Sequence, residues 1–310
     1  MDPPSMRALR YAMFAVPLLG LAELCGQLWF ARRPPSFDDW LTIDGPVRAM
    51  KQQGDLVVIA PAWADPAARR GLGDDLMPLR DVARPDESRY EHAVEVSILG
   101  HSAEELVGWR EQSRRREGKF LLRRLENPSP AHVIYDFVDH VAPAFADVRG
   151  TDPPISCLYN TRAQVIAGGL GGHPTFPRER FECGSNAFFS VGVTVIADEE
   201  FRPRRCIWSH PFARGEVITR FHNVPLGDVI RGHGGMYWIT ERDKRGPPVS
   251  LTVRVDGDPI GAYLHKDGDG WSTFELDLGA HRRAQAASVE LAVSSSNNFE
   301  RHFCFEADTR

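Results

Sequence analysis

The sequence predicts an α+β multidomain chain: an N-terminal transmembrane helix, a small three-layer α/β domain and a C-terminal antiparallel β-sandwich. Three observations predict it. Tyr11 to Ala31, YAMFAVPLLGLAELCGQLWFA, is long and apolar enough to cross a bilayer, which takes roughly 20 mainly apolar residues. Residues 45–126 alternate apolar runs with helix signals, as a layered α/β unit does. From Ala187 onward, short strands follow one another between turn signals. The divisions expected are 1–33 for tail and anchor, 34–44 for a linker, 45–130 for the α/β domain, 131–186 for a loop-rich connection and 187–310 for the sandwich.

The first element is an imperfect span. Pro17, Glu23 and Gln27 interrupt it, and a carboxylate in hydrocarbon costs about 3 kcal/mol on insertion scales. No small-x-small cleavage site follows the apolar core, so an uncleaved signal anchor is preferred to a cleaved signal peptide. Arg7 and Arg10 stand before it and Arg32 and Arg33 after it, which hardly decides orientation. The short N-terminal tail and the cysteines favour a body on the outer side. The expected address is a single-pass membrane protein of the periplasm or cell envelope, with membrane lipid as a partner through residues 11–31.

Composition narrows the classes. The net charge is −5, which argues against a nucleic-acid partner. Of five cysteines, Cys25 lies in the anchor. Cys157, Cys183, Cys206 and Cys304 form an even set without zinc-site spacing. Four cysteines allow three pairings. Cys206 and Cys304 sit in what would be the first and last strands of one sandwich, so they are paired, leaving Cys157 with Cys183 to staple the connection. The alternative is four reduced thiols in a cytosolic protein.

In the α/β region, Asp44 caps a helix that Gly54 ends, and DLVVIA at 55–60 is a continuous apolar run suited to a doubly covered strand. Asp65-Pro66 starts a second helix. Met77 to Val82 reads as a short strand and His92 to Leu99 as a longer one. The capping box Ser102-x-x-Glu105 predicts a helix ending near Gly118, and Lys119 to Leu125 a further strand. Arg114, Arg115 and Arg116 then fall at a solvated helix end, with a phosphate or anionic-lipid contact as the alternative. The strand-and-helix entry GDLVVIAPAWADP loosely resembles the soluble extracytoplasmic region of glycosyltransferases that use lipid-linked sugars. With one span and no membrane-loop carboxylates, that resemblance implies an accessory protein, with a membrane glycosyltransferase as partner.

The connection holds HVIYDFV at 132–138, which reads as an edge strand, and the glycine-rich run Gly168 to Gly172, which lacks the Lys-Ser/Thr of a phosphate cradle. Beyond it, 188–197, 205–210, 216–222, 249–255, 260–265, 271–278, 288–294 and 299–306 read as strands, separated by turns such as Asp256-Gly257 and Asp267-Gly268-Asp269-Gly270.

RGHGGMYWI at 231–239, PVSLTVRVDGDPI at 248–260, GDGWSTFELDL at 268–278 and SVELAV at 288–293 carry a resemblance to the galactose-binding-like jelly roll of many carbohydrate-binding modules. It implies a β-sandwich with a glycan as ligand. Within it, Trp208, His210, His222, His233, Tyr237 and Trp238 supply flat, amphipathic rings on which a sugar can stack, about two of them expected at the surface. Asp267 and Asp269 are weak calcium candidates; the loop lacks the bidentate Glu of an EF-hand, and a hairpin turn is the preferred assignment. There is no GxSxG, HExxH or GxGxxG, so no catalytic residue is assigned and no cofactor is expected. The resulting expectation is a non-enzymatic protein presenting a sugar-binding sandwich to envelope glycan or assisting a glycosyltransferase. A glycan-processing enzyme and a structural interaction protein are the alternatives.

Overall fold

The computed structural model describes residues 17–29, 33–168, 173–243 and 245–310. The chain forms two compact units, Met1–Met77 with His92–Glu126, and Pro78–Glu91 with Asn127–Arg310.

The expected transmembrane helix is corrected first. Residues 17–29 are helical, but among the described residues no helix is long and apolar enough to cross a membrane. The described helix, 17–29, is shorter than the roughly 20 residues a span needs. The remainder of the expected span lies outside the described residues. The single-pass localisation and the lipid partner rested on that span and lose their support with it.

The first unit is built on a four-stranded sheet. β1 (Leu56–Ala60) runs parallel to β2 (His92–Ile98), and β3 (Arg110–Glu117) forms an antiparallel hairpin with β4 (Phe120–Glu126), giving the order β1-β2-β4-β3. All of β1 is buried, as its continuous apolar run predicts. The helix Phe37–Thr42 starts at a capping box in which Ser36 and Asp39 exchange hydrogen bonds, and it buries Trp40 against Phe120. Gly71, in the helix Asp65–Leu72, approaches so closely that a Cβ there would stand 2.5 Å from that of Trp40.

Two local assignments are overturned here, and with them the three-layer α/β description: β structure dominates the chain. Met77–Val82 is not a strand; Leu79–Val82 is a helical turn, and it belongs to the second unit. The capping box at Ser102 opens only the 3-10 turn Glu104–Leu106. The run REQSRRRE that follows is β3, exposed along nearly its whole length. It has no apolar stripe for a helix to bury, whereas pairing with β4 satisfies its backbone groups, and its charges suit an edge strand.

The second unit is a sandwich of two sheets. Its strands are β5 (Tyr135–Asp136), β6 (Ala146–Thr151), β7 (Pro154–Ser156), β8 (Leu158–Asn160), β9 (Arg180–Glu182), β10 (Ser190–Ala197), β11 (Pro203–Ser209), β12 (Val217–Val224), β13 (Val229–Met236), β14 (Val249–Val255), β15 (Asp258–His265), β16 (Ser272–Asp277), β17 (Ala287–Ser295) and β18 (Phe303–Thr309). The smaller sheet runs β15-β14-β17-β12-β6-β7, and the larger β16-β13-β18-β11-β10-β9-β8 with β5 on β18. Alternation sends Val249, Leu251, Val253 and Val255 of β14 inward to meet Ile207, Ile230, Phe303 and Phe305 of the larger sheet in one core. β13 was not expected as a strand. Its glycines let neighbours approach: a Cβ on Gly232 would come within 2.2 Å of the Glu306 carbonyl oxygen.

Two buried polar networks close one end. Glu241 accepts from the Met236 and Gly268 amides and bonds His265 at 2.6 Å; the other imidazole nitrogen meets the Tyr263 hydroxyl, which also contacts Ser272. The Asp267 carboxylate is engaged by the buried Arg301 guanidinium, and Asp269 accepts from the Lys266 amide to close its own turn. The two calcium candidates thus serve an ion pair and a turn. Both expected disulfides form, Cys157–Cys183 and Cys206–Cys304.

Candidate functional site

In β18, Phe303, Phe305 and Ala307 enter the core, so Cys304, Glu306 and Asp308 point to the opposite, outer face of the larger sheet. Pairing sets His233 of β13 beside Glu306 and Arg231 beside Asp308, and Trp208 of β11 beside Cys304. An outward-facing row is normally solvated. Here Glu306 and Asp308 are 3% and 0% exposed, because the segment 78–91 lies along this face. The Arg205 amide donates to the Ala83 carbonyl, Arg89 bonds Asp136 at 2.7 Å and Asp308 at 3.1 Å, and Arg310 bonds Asp308 and Ser88.

At the polar end of the face, the His233 Nδ1 is 2.6 Å from a Glu306 oxygen and its Nε2 3.6 Å from Asp86. Burial pushes the Glu306 carboxyl above the usual range, against the pull of His233. Asp308 is raised by burial as well, in spite of Arg310 and Arg89. At Asp86 burial also acts upward, but the Ser88 hydroxyl and amide, with the charges of His233 and Arg310, hold it low. These carboxylates are held in ion pairs, and Glu306 and Asp136 line one small pocket together with Arg89 and Arg205.

The other end is aromatic. Phe176, Trp208, Tyr237, Ile196 and the Cys206–Cys304 bridge form a buried layer on the outer face, flanked by Phe188, Trp238 and Trp271. The Trp208 indole donates to the Phe188 carbonyl. His302 stacks on Phe188 and lies 5.8 Å from His210, centre to centre. Burial depresses His210 to about 4 and His302 to about 3, the latter aided by the neighbouring charges of His210 and Arg301.

Between the two ends the layer reaches the surface. Trp271 is half-buried and stacks parallel to His233, with the Arg204 guanidinium 5.8 Å from its ring centre. It can lie flat because β13 has glycine beneath it: a Cβ on Gly235 would stand 3.0 Å from the indole. Trp238 is half-buried, Phe201 is 46% exposed, and Arg242 lies over both rings at 5.4 and 4.4 Å. The Arg242 side chain donates to the Glu199 carbonyl, and the Glu199 carboxylate lies beside Gly270, next to Trp271. Rings, guanidinium and carboxylate therefore share one rim.

Of the six predicted ring residues, Trp208, His210, Tyr237 and Trp238 are gathered in or beside this layer, and His233 joins it through Trp271. Trp208 and Tyr237 are each 1% exposed and act as packing. His222 belongs to the smaller sheet, where it is exposed and bonded to Asp147 at 2.9 Å. Sequence reasoning passed over Trp271, Phe201, Arg242, Glu199 and the Glu306–His233 pair. The position of Trp271 directly after a glycine turn, and the alternation FCFEAD in β18, were the available signals. The glycine-rich run at 169–172 lies outside the described residues.

No known protein family and no curated protein matches the sequence. Solved structures similar to it include CBM51-2 with INT domains from Clostridium perfringens ZmpB, at 14% identity and a TM-score of 0.28, covering 38% of this chain and 26% of that one. The CBM51 from Clostridium perfringens GH95 in complex with methyl-galactose matches at 12% identity and 0.28, covering 49% and 99%. The M60 catalytic domain with CBM51-1 and CBM51-2 from Clostridium perfringens ZmpB matches at 12% identity and 0.29, covering 66% and 20%. The chain thus spans about a quarter of the first of these proteins. At these scores the sandwich is established by the chain's own two facing sheets.

Proposed function

We propose that the second unit is a glycan-binding sandwich whose ligand rests on Trp271, Trp238 and Phe201. The observation that carries this is the emergence of a buried aromatic layer at one rim, where its last rings meet Arg242 and Glu199. A sugar needs a flat apolar surface for its C–H face and polar groups for its hydroxyls, and a carboxylate and a guanidinium supply acceptors and donors. The Cys206–Cys304 bridge lies in the same layer and holds neighbouring strands beneath the rings. The role is binding; the buried carboxylates of this face support the fold. A partnership with a membrane glycosyltransferase gains no support from the geometry or from the similar structures and forms no part of the proposal.

A glycan-array screen of the full chain, followed by titration of the best ligand, tests it. Trp271→Ala should weaken binding about tenfold or more, as loss of about 1.4 kcal/mol of ring contact does. His222→Ala, on the other sheet, should leave affinity unchanged. Near-UV circular dichroism reports whether the variants keep their packing. The proposal is abandoned if no glycan binds, or if a folded Trp271→Ala binds as the parent does.

A further inference from the structure

We infer that the first unit carries an oxyanion pocket suited to a phosphate group, a site separate from the proposed sugar surface. A cavity of about 410 Å³ is lined by the end of β2, the turn Leu99 to Ser102, Arg116 of β3, the turn at Gly118 and Lys119, and the 33–35 segment. That volume suits a small ligand, since such sites span roughly 300–1,000 Å³. Every ionisable side chain on the wall is basic: Arg33, His101, Arg116 and Lys119. Among the described residues no carboxylate lines it.

The pairing of the neighbouring arginines sharpens this. On β3, Arg114 is paired with Glu111 and Arg115 with Glu117. Arg116, the one that lines the cavity, has no carboxylate partner among the described residues. Lys119 touches one carboxylate, Asp39, at 2.8 Å, outside the lining set. Ser102 adds a directed donor: its hydroxyl oxygen accepts from Arg123 at 3.1 Å, which leaves its proton to give to a ligand oxygen. A guanidinium fork, an ammonium and a hydroxyl around a cavity with no described carboxylate in its lining suit the oxygens of a phosphate monoester. β3 was expected to be a helix end. As an edge strand it instead brings Arg116 to the cavity that Gly100 also lines.

The test is calorimetric titration of the full chain with inorganic phosphate, with glucose 6-phosphate, and with vesicles containing phosphatidylglycerol. Saturable binding of phosphate in about the millimolar range is expected. Arg116→Ala, at an exposed and unpaired position, should weaken it about tenfold, corresponding to one charged hydrogen bond. Ser102→Ala should weaken it less. Arg114→Ala, whose partner is Glu111 and which does not line the cavity, should change nothing. Tighter binding of the sugar phosphate points to a soluble ester, and Arg116-dependent vesicle binding alongside phosphate points to a headgroup; either upholds the site. The inference fails if neither phosphate nor the ester binds, or if Arg116→Ala binds as the parent does. Because the sugar test is read at Trp271, the two proposals can fail independently.

Discussion

Lowering the pH from 7 to 5 should destabilise the sandwich through His210 and His302, and His302→Phe should remove about half of that loss. Both imidazoles are buried, at 6% and 9% exposure, and are depressed to about 4 and about 3. In the unfolded chain they titrate near 6.5. The unfolded state therefore binds more protons, and stability falls as pH drops from about 6.5 toward the folded values. At pH 5 both remain neutral when folded and become charged when unfolded. The gap of about 1.5 units, at 1.36 kcal/mol each, costs about 2 kcal/mol per histidine and about 4 kcal/mol for the two. Glu306 and Asp308, raised by burial, act in the opposite direction, so the informative quantity is the difference between parent and variant. Among the described residues the His302 Nδ1 has no hydrogen-bond partner, and the ring stacks on Phe188, so phenylalanine costs that nitrogen no bond and keeps the contact. Urea denaturation at pH 7 and pH 5, at constant ionic strength, gives both differences. A variant whose loss on acidification equals that of the parent would refute the reasoning.

Three further outcomes follow from the packing. Asp267→Ala should cost about 3–5 kcal/mol by leaving Arg301 buried and unpaired, and the double change Asp267→Leu, Arg301→Met should recover most of it in the same denaturation assay. Replacing Cys206 and Cys304 by alanine opens a link across 98 residues and should lose about 4–5 kcal/mol. The Cys157–Cys183 pair, 26 residues apart, should lose about 3–4 kcal/mol, so the reverse order in denaturation midpoints would contradict the chain-entropy account. Gly71→Ala should destabilise the first unit by about 1–3 kcal/mol through overpacking against Trp40, read as a shift of the urea transition.

Much of the sandwich was legible because its signal is local. The alternation VSLTVRV marks β14 and its inner face within seven residues, and the Asp256-Gly257 turn marks its hairpin with β15. The disulfide pairing was legible too, once Cys206 and Cys304 were placed on strands of one sandwich. β13 was missed because glycines at 232, 234 and 235 erase the apolar pattern, and β3 because a polar edge strand and a solvated helix look alike in composition. The expected span at 11–31 finds no support, because the part of it that is described, the helix 17–29, is shorter than the roughly 20 residues a crossing takes.

By itself the sequence determined which residues form most of the second unit's strands and which of their side chains face the core, because a period of two is written in the chain one residue at a time. Only the tertiary structure decided what covers the opposite face. The segment 78–91, distant in sequence, buries Glu306 and Asp308, while the rim beside Gly235 leaves Trp271 partly open. Whether a ring packs or presents itself depends on neighbours tens of residues away on other strands and loops, and pattern along a strand carries no record of them.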